Sequence, residues 1–388
     1  MKHAILRITI IAMLCLYLMP VSVSGAETKP VVIGATVSLD GKYSEPSAMI
    51  QGGYKLWESQ VNQRGGLLGR PVKLILYNDK SDEKLVRQFY EKLIKEDKVD
   101  LVFSPYGTPL TLVASEVSEK HGYLMLASGA SGEKIWERGY KNVFGMYATA
   151  NRYFIGLLDL MARKGFKSVA ILYENSSFNI DVAAGIESWA ERFGLKVIFS
   201  KSYKTGNTDL PNLLSEAKAL NPEGIILSAY PADGYLLLRL MEKAKYRPKV
   251  VGITIAPSYP DFHKEAGNMA EGVFGPSQWE PDERIPFPGT KNFIRDYKSF
   301  TGNIPSYHAG SSYASCQIIE NAIVRNKSFD QKRIRDFISS YDTVTVIGRF
   351  KVDHTGKQIG HNPILIQWQS GEKEIVYPTA MQTALPKF

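Results

Sequence analysis

Cysteine is nearly absent from this chain, with two residues among 388, Cys15 and Cys316. Cys15 lies in an N-terminal segment that we expect to be removed, so Cys316 would be left without an internal partner. A framework of internal disulfides is therefore excluded. A chain of this length can bury a sufficient core without one, and it is long enough for two domains.

Long apolar runs are also scarce. The apolar segment at residues 8–19 is too short for a membrane span, which needs ~20 apolar residues. Lys2 and Arg7 precede it, and small residues follow up to Ala26, which is the pattern of a secretory signal peptide. The sequence predicts a signal peptide over residues 1–26, cleaved near Ala26, and an exported mature protein.

Neither sign of charge is concentrated in one part of the chain. The formal net charge is +8, from 47 Lys and Arg against 39 Asp and Glu. The two signs are mixed in stretches such as residues 81–100, as on the solvated face of a helix. Because no basic stripe is present, the sequence predicts no nucleic-acid partner.

Catalytic and metal-binding signatures are missing as well. The sequence contains no G-x-S-x-G, no H-E-x-x-H and no paired-cysteine motif, and its histidines show no metal-ligand spacing. We therefore expect neither an enzyme nor a bound metal or cofactor. An exported enzyme stays open as an alternative, because catalytic partners need not be adjacent in a sequence.

What the sequence does contain is a regular alternation of apolar, β-branched runs with amphipathic segments. Two series of such runs indicate two α/β lobes, each with a doubly wound parallel sheet covered on both faces. The predicted strands are 30–37, 72–77, 99–104 and 123–128 in the first series, and 168–174, 196–200, 224–230 and 249–255 in the second. The pattern then changes to helices at 288–301, 306–326 and 330–340, followed by strands at 343–350 and 362–368.

The segment 126–140, LASGASGEKIWERGY, combines an apolar run with a turn of small residues at 128–132. Small residues let a ligand approach the backbone, and free amide and hydroxyl groups can hold an anion. The segment also follows a predicted strand, and ligands of parallel sheets bind beyond the carboxyl ends of the strands. The alternative is a plain strand–helix connection with Ser131 as the helix N-cap.

Five motifs give the chain a family resemblance from about Pro30 to the C-terminus. They are IGATVSLDGKYS, GGLLGRPVKLILYNDKSD, VDLVFSPYGT, LASGASGEKIWERGY and GRFKVDHTGK. In their order and spacing the chain resembles the type I periplasmic solute-binding proteins of the branched-chain amino acid ABC transporter class, like the leucine/isoleucine/valine-binding proteins.

The resemblance implies a periplasmic, monomeric, two-lobed protein with a ligand cleft between its lobes. Lobe 1 would comprise residues 27–148 and 278–350, and lobe 2 residues 149–277 and 351–388. Such a protein closes around a small solute with an anionic group, an amino acid or an organic or aromatic acid, and delivers it to a membrane ABC permease. A sensor of the same fold that feeds a signalling receptor would have the same sequence features and stays open.

The resemblance also implies which residues hold the solute. Thr108 and Ser131 would supply hydroxyls to its carboxylate, and Gly129 and Ala130 would supply backbone groups. Aromatic and other cleft residues would surround the rest of it. The alternative is a half-exposed turn residue for Tyr43 and core packing for Tyr106, Phe178 and Tyr230, and for His308 a structural role is the better interpretation. These further candidates are Tyr43, Tyr106, Phe178, Tyr230, Trp279 and His308.

One position departs from the family pattern. Amino-acid binders of this class place an acidic residue, which pairs with the ammonium of the ligand, where this chain has Thr254. Asp233 and Glu280 are acidic candidates for that role, but no spacing places them there. An ammonium buried without a carboxylate would lose a charge-assisted hydrogen bond, so an acid that lacks an amine fits the sequence as well as an amino acid does.

Overall fold

The computed structural model describes residues 28–204, 209–285 and 287–388. The predicted signal peptide, residues 1–26, lies outside the described residues. No helix in the described part of the chain has the length and apolar character needed to cross a membrane.

Strands and helices alternate along most of the described chain. The strands are β1 (Val31–Val37), β2 (Val72–Asn78), β3 (Leu101–Val102), β4 (Met125–Ala127), β5 (Val143–Gly145), β6 (Ser168–Glu174), β7 (Lys196–Tyr203), β8 (Gly224–Ser228), β9 (Val250–Ile253), β10 (Val273–Ser277), β11 (Thr343–Thr345), β12 (Gly348–Phe350), β13 (Ile364–Gln369) and β14 (Glu372–Tyr377). The α-helices are α1 (Ser44–Gln63), α2 (Glu83–Lys95), α3 (Thr108–Lys120), α4 (Ile155–Arg163), α5 (Ser177–Arg192), α6 (Asp209–Ala219), α7 (Pro231–Lys243), α8 (Phe262–Ala266), α9 (Thr290–Thr301), α10 (Tyr307–Asn326) and α11 (Gln331–Ser340).

The first lobe is built on the parallel strands β1 to β5. Strands β2, β1 and β3 form one sheet in that order, and β4 pairs with β5. A parallel bridge between Tyr106 and Gly129 joins the loop after β3 to the loop after β4. This bridge brings together the loops that lead to Thr108 and Ser131, two residues that the family resemblance implies as ligand-binding.

The second lobe contains a seven-stranded sheet in the order β14-β13-β10-β9-β8-β6-β7. The four predicted strands β6 to β9 are parallel, and so is β10, which was not predicted, but β13 runs antiparallel to both β10 and β14. Ser370 and Gly371 connect β13 to β14 with positive φ angles of 56° and 79°. A two-residue turn of this kind joins only antiparallel strands, so the sheet is mixed and the expectation of a wholly parallel sheet is corrected here.

The segment 343–350, which we predicted as one strand, is a short antiparallel hairpin of β11 and β12. Its turn residues Val346 and Ile347 are apolar and buried, so the sequence pattern is that of one continuous strand. The Thr345 hydroxyl holds the turn by donating to the Gly348 carbonyl over 2.9 Å. Burial of an apolar turn is a tertiary effect that strand periodicity does not report.

The segment 145–148 is hydrogen-bonded to the chain near each of the other two predicted lobe boundaries. Gln278 accepts from the Ala148 amide over 2.9 Å, and the Gln358 side chain donates to the Met146 carbonyl over 3.4 Å. Gly356 also accepts from the Gly145 amide of β5 over 2.8 Å. The division of the chain into lobes stays a prediction, and these contacts favour assigning residues 351–358 to the first lobe.

Candidate functional site

A small cavity lies between the two lobes, beyond the carboxyl ends of their strands. Its free volume is about 10 Å³, which is about the space of one water molecule. The residues that line it are Tyr106, Gly107, Thr108, Gly129, Ser131, Tyr147, Tyr153, Phe178, Tyr230, Ile255 and Tyr307. A solute larger than a water molecule can therefore enter only if the lobes move apart.

The polar edge of the cavity begins at the N-terminus of α3. Gly107, with φ +87°, turns the chain into this helix in a conformation that favours glycine, and Thr108 is its first residue. The Thr108 hydroxyl accepts from the Gly132 amide over 3.1 Å, which leaves its own proton for a ligand. The amides of Thr108 and Ser131 donate to no acceptor within the described residues.

Ser131 completes this polar edge together with Tyr153. Their hydroxyl oxygens lie 2.9 Å apart, so one of their two protons is used between them and the other remains available. Burial raises the pKa of Tyr153 to about 12, so its hydroxyl stays protonated at neutral pH. Together with the positive end of the α3 dipole, these donors favour an anion.

Aromatic rings from both lobes form the rest of the wall. The Tyr43 ring lies 4.9 Å from Tyr230 of the second lobe and 6.0 Å from Tyr106 of the first, centroid to centroid. Phe178 contacts the rings of Tyr153 at 5.4 Å and Tyr230 at 6.1 Å. Tyr43 does not line the cavity itself, but its contact with Tyr230 joins the lobes beside the cavity.

His308 lies behind this wall and not on the cavity surface. It is fully buried, and its ring stacks on Tyr106 at 5.0 Å and contacts Tyr307 at 4.0 Å. Neither ring nitrogen has a hydrogen-bond partner among the described residues. Burial lowers the pKa of His308 to about 3, so the imidazole is neutral at physiological pH.

Three other predicted residues also lie outside the cavity lining. The Thr254 hydroxyl is occupied by Ala229, accepting from its amide over 2.8 Å and donating to its carbonyl over 2.7 Å. Trp279 is buried against Phe293, with 5.8 Å between ring centroids. Ala130 is buried in a small apolar cluster of the first lobe.

The structure thus brings six of the eleven predicted residues to the cavity: Tyr106, Thr108, Gly129, Ser131, Phe178 and Tyr230. Sequence reasoning missed five others: Gly107, Tyr147, Tyr153, Ile255 and Tyr307. Tyr147 follows the short strand β5, so recognising that strand would have directed attention to it by the strand-end rule. Gly107 and Ile255 also lie at the ends of predicted strands, 99–104 and 249–255, whereas Tyr153 and Tyr307 carried no comparable sequence signal.

An ion pair spans the cleft beside the cavity. Lys42 of the first lobe pairs with Glu174, at the carboxyl end of β6 in the second lobe. Glu174 is fully buried and also accepts a hydrogen bond from the side-chain amide of Asn179 over 2.9 Å. The Lys42 ammonium lies 4.3 Å from the centroid of the Tyr230 ring. The two lobes are therefore held together by charge as well as by ring contacts.

Two α/β lobes that meet over a small cleft at their strand ends define a type I solute-binding fold. Residues 30–373 match the family model described as periplasmic binding protein, and the chain belongs to this family.

The known relatives agree with this membership. The chain is 25% identical over 347 residues to Leu/Ile/Val-binding protein homolog 7 of Brucella suis biovar 1, covering 84% of this chain and 86% of that protein. Among solved structures, a leucine binding protein from Thermotoga maritima superposes with a TM-score of 0.80 at 18% identity, covering 89% of this chain and 97% of that one. A solute binding protein of an ABC transporter from Rhodopseudomonas palustris BisB5, solved with 3,4-dihydroxybenzoic acid, gives a TM-score of 0.76 at 18% identity, covering 89% and 95%. At these identities the structural matches establish the fold.

Proposed function

We propose that this protein is the periplasmic binding component of an ABC importer, which closes around a small carboxylate-bearing solute and delivers it to a membrane permease. One observation carries the proposal: the inter-lobe cavity has, on its first-lobe edge, hydroxyl and amide donors with unused hydrogen-bonding capacity. The relatives named as Leu/Ile/Val-binding proteins and the predicted signal peptide support the transport role and the compartment. We propose a monomer, since one chain supplies both walls of the cavity.

The solute carboxylate is assigned to the edge formed by Thr108 and Ser131. A hydrogen bond to a charged acceptor contributes about 1.5–3 kcal/mol, so each hydroxyl accounts for about tenfold or more in affinity. The α3 dipole adds to this attraction, and no basic side chain lines the cavity among the described residues. The anion is therefore held by neutral donors, as at other helix N-termini.

Calorimetric titration of the mature protein tests this assignment. The solutes are L-leucine, L-phenylalanine, 4-methylpentanoate, 3-phenylpropanoate and benzoate, with 4-methylpentanamide as the uncharged counterpart. We expect at least one carboxylate to bind, and the amide to bind at least tenfold more weakly than its acid. Equal binding of 4-methylpentanoate and its amide, or binding of none of the carboxylates, would contradict the proposal.

Variants of the two hydroxyl residues then locate the carboxylate. Thr108→Ala and Ser131→Ala should each weaken the best carboxylate about tenfold or more, and Thr108→Ser should restore most of the loss. Ser118→Ala is the matched control, because its hydroxyl is buried on the same helix and donates to the Ala114 carbonyl. An unchanged affinity in both alanine variants would place the carboxylate elsewhere.

We also propose that the protein binds its solute without transforming it. After long incubation with the protein, the best-binding acid should be recovered unchanged by mass spectrometry. More than one equivalent of altered product per protein would overturn this point and favour the exported-enzyme alternative.

A further inference from the structure

Ile255 has a backbone conformation that a β-branched residue rarely adopts. Its φ and ψ are +59° and −67°, and the Ala256 amide donates to the Thr254 carbonyl across it over 2.6 Å. These angles and the i to i+2 hydrogen bond define the strained γ-turn with positive φ. Ile255 is also buried and lines the inter-lobe cavity.

Hydrogen bonds on both sides of Ile255 hold this turn in place. Before it, the Thr254 hydroxyl is bonded to both backbone groups of Ala229. After it, the Ile255 carbonyl accepts from the Ser258 amide over 3.0 Å and from the Ser258 hydroxyl over 2.6 Å. Strained residues persist only where the surroundings determine them in this way, and they concentrate at ligand sites.

The turn brings an aliphatic residue to the cavity from the second lobe, whereas Thr108 and Ser131 line it from the first. Ile255 is the next residue after Thr254, the position where the family resemblance leads us to expect a carboxylate. No acidic side chain lines the cavity among the described residues.

The acidic groups near this region are engaged elsewhere. Glu174 is bonded to Lys42 and Asn179, and Asp181 accepts from the Glu133 amide over 2.8 Å. The two acids considered from the sequence are engaged as well: Asp233 accepts from the Tyr203 hydroxyl over 2.8 Å, and Glu280 pairs with Lys373.

We propose that Ile255 is a specificity-determining residue, and that it restricts the solute to carboxylates without an amine. This inference rests on the proposed function. An ammonium placed against Ile255 would be desolvated without a charged partner, whereas an alkyl or aryl group would bury apolar surface there. A desamino acid should therefore bind about 10–100-fold more tightly than its α-amino counterpart.

Titration of two matched pairs tests the preference: 4-methylpentanoate with L-leucine, and 3-phenylpropanoate with L-phenylalanine. In the wild-type protein the desamino acid of the better-binding pair should bind more tightly. Ile255→Asp should reverse or abolish that preference, because it supplies a carboxylate to the ammonium. Ile255→Asn, which has the size of aspartate but no charge, should not favour the amino acid. Tighter binding of the amino acid by the wild-type protein would overturn the role of Ile255 and leave the proposed function standing. Binding of neither member of either pair would overturn the role of Ile255, and if benzoate does not bind either, the proposed function as well.

Glycine betaine provides a further test, because rings of tyrosine can also enclose a quaternary ammonium. We expect it not to bind, because its cation would lie against Ile255 without a charged partner, as the ammonium of an amino acid would. Binding of glycine betaine more tightly than the desamino acids would overturn the proposal.

The strain itself is tested by the thermal stability of two variants. Glycine in place of alanine normally destabilises a protein, but at a positive φ glycine is free of the steric cost. We therefore expect Ile255→Gly to melt above Ile255→Ala, by about 1–3 °C for a protein of this size. At the exposed residue Leu39, where φ is not positive, the alanine variant should be at least as stable as the glycine variant. A lower melting temperature for Ile255→Gly than for Ile255→Ala would show that Ile255 is not held in the strained turn.

Discussion

The ion pair between Lys42 and Glu174 makes the closed arrangement of the lobes directly testable. Its partners come from different lobes and are 132 positions apart in sequence. Lys42→Met removes the charge but keeps a flexible side chain of similar length over the Tyr230 ring. If the lobes open to admit a solute, this change should destabilise the closed form relative to the open one, and so weaken solute binding.

The burial of the two partners sets the magnitude of the effect. Removing one member of a buried ion pair costs about 3–5 kcal/mol, because the other charge is left uncompensated. The Glu174 side chain is 0% exposed, but the Lys42 side chain is 26% exposed, and Asn179 remains bonded to the carboxylate. Because of that exposure and that remaining bond, we expect about 1–3 kcal/mol, which corresponds to a loss in affinity of about 5–150-fold.

The loss should depend on pH in a defined direction. Burial raises the pKa of the Glu174 carboxyl, and the Lys42 charge acts in the opposite direction. Lys42→Met should therefore raise that pKa further. A carboxyl with a raised pKa binds more protons in the closed form, so the closed form gains stability as the pH falls. The affinity lost at pH 8 should be partly recovered at pH 5.5.

Calorimetry with the best-binding carboxylate, at both pH values, measures this effect. Glu174→Gln and the double variant complete a thermodynamic cycle, which isolates the coupling between the two side chains. Lys201→Met is the control, because Lys201 pairs with Glu216 at an exposed site where both side chains are about half exposed. A coupling energy near zero, or an affinity loss in Lys42→Met that grows as the pH falls, would refute the reasoning.

Two further predictions concern stability. Burial lowers the pKa of His308 to about 3, against ~6.5 in the unfolded chain, so the unfolded state binds more protons below pH 6.5 and the native protein loses about 2 kcal/mol of stability at pH 5. The variant His308→Phe should not show this loss when urea unfolding is compared at pH 7 and pH 5. The same pH dependence of stability in the variant and the wild-type protein would contradict this prediction. Lys373 pairs with Glu280 over 2.5 Å at a site where both side chains are largely buried. Lys373→Met should therefore destabilise the fold by about 3–5 kcal/mol, whereas Lys201→Met should destabilise it by less than ~1 kcal/mol. Equal urea unfolding midpoints for these two variants would show that the buried pair contributes no more than a surface pair.

Most of the fold was predictable because the elements of an α/β sheet carry strong local patterns. The predicted strand 168–174 coincides with β6, and the predicted helices 306–326 and 330–340 begin one residue before α10 and α11. The strands that were missed are β5, β10 and β14, and the direction of β13 was wrong. Strand β5 has only three residues, and the direction of β13 depends on a turn and on the path of the chain through the first lobe.

The candidate site was predictable on its first-lobe side, where it consists of loops that directly follow strands. Thr108 and Ser131 lie at strand ends, so their position follows from the topology of a parallel sheet. Tyr153 lies in the turn just before α4 and Tyr307 is the first residue of α10, and both reach the cavity only through the packing of the lobes. A single sequence does not record that packing.

The end of β9 shows how a one-residue change in register alters the interpretation of a site. The family pattern directs attention to Thr254, and a threonine in a cleft would be taken as a hydrogen-bond donor to the solute. The structure bonds the Thr254 hydroxyl to the Ala229 backbone and places the next residue, Ile255, on the cavity surface. The hydroxyl thus anchors the turn that carries Ile255. The two sides of the cavity therefore differ in chemistry: the first-lobe edge offers donors to an anion, and the second-lobe residues Phe178, Tyr230 and Ile255 offer rings and an aliphatic group. A solute that is charged at one end and apolar at the other matches both sides.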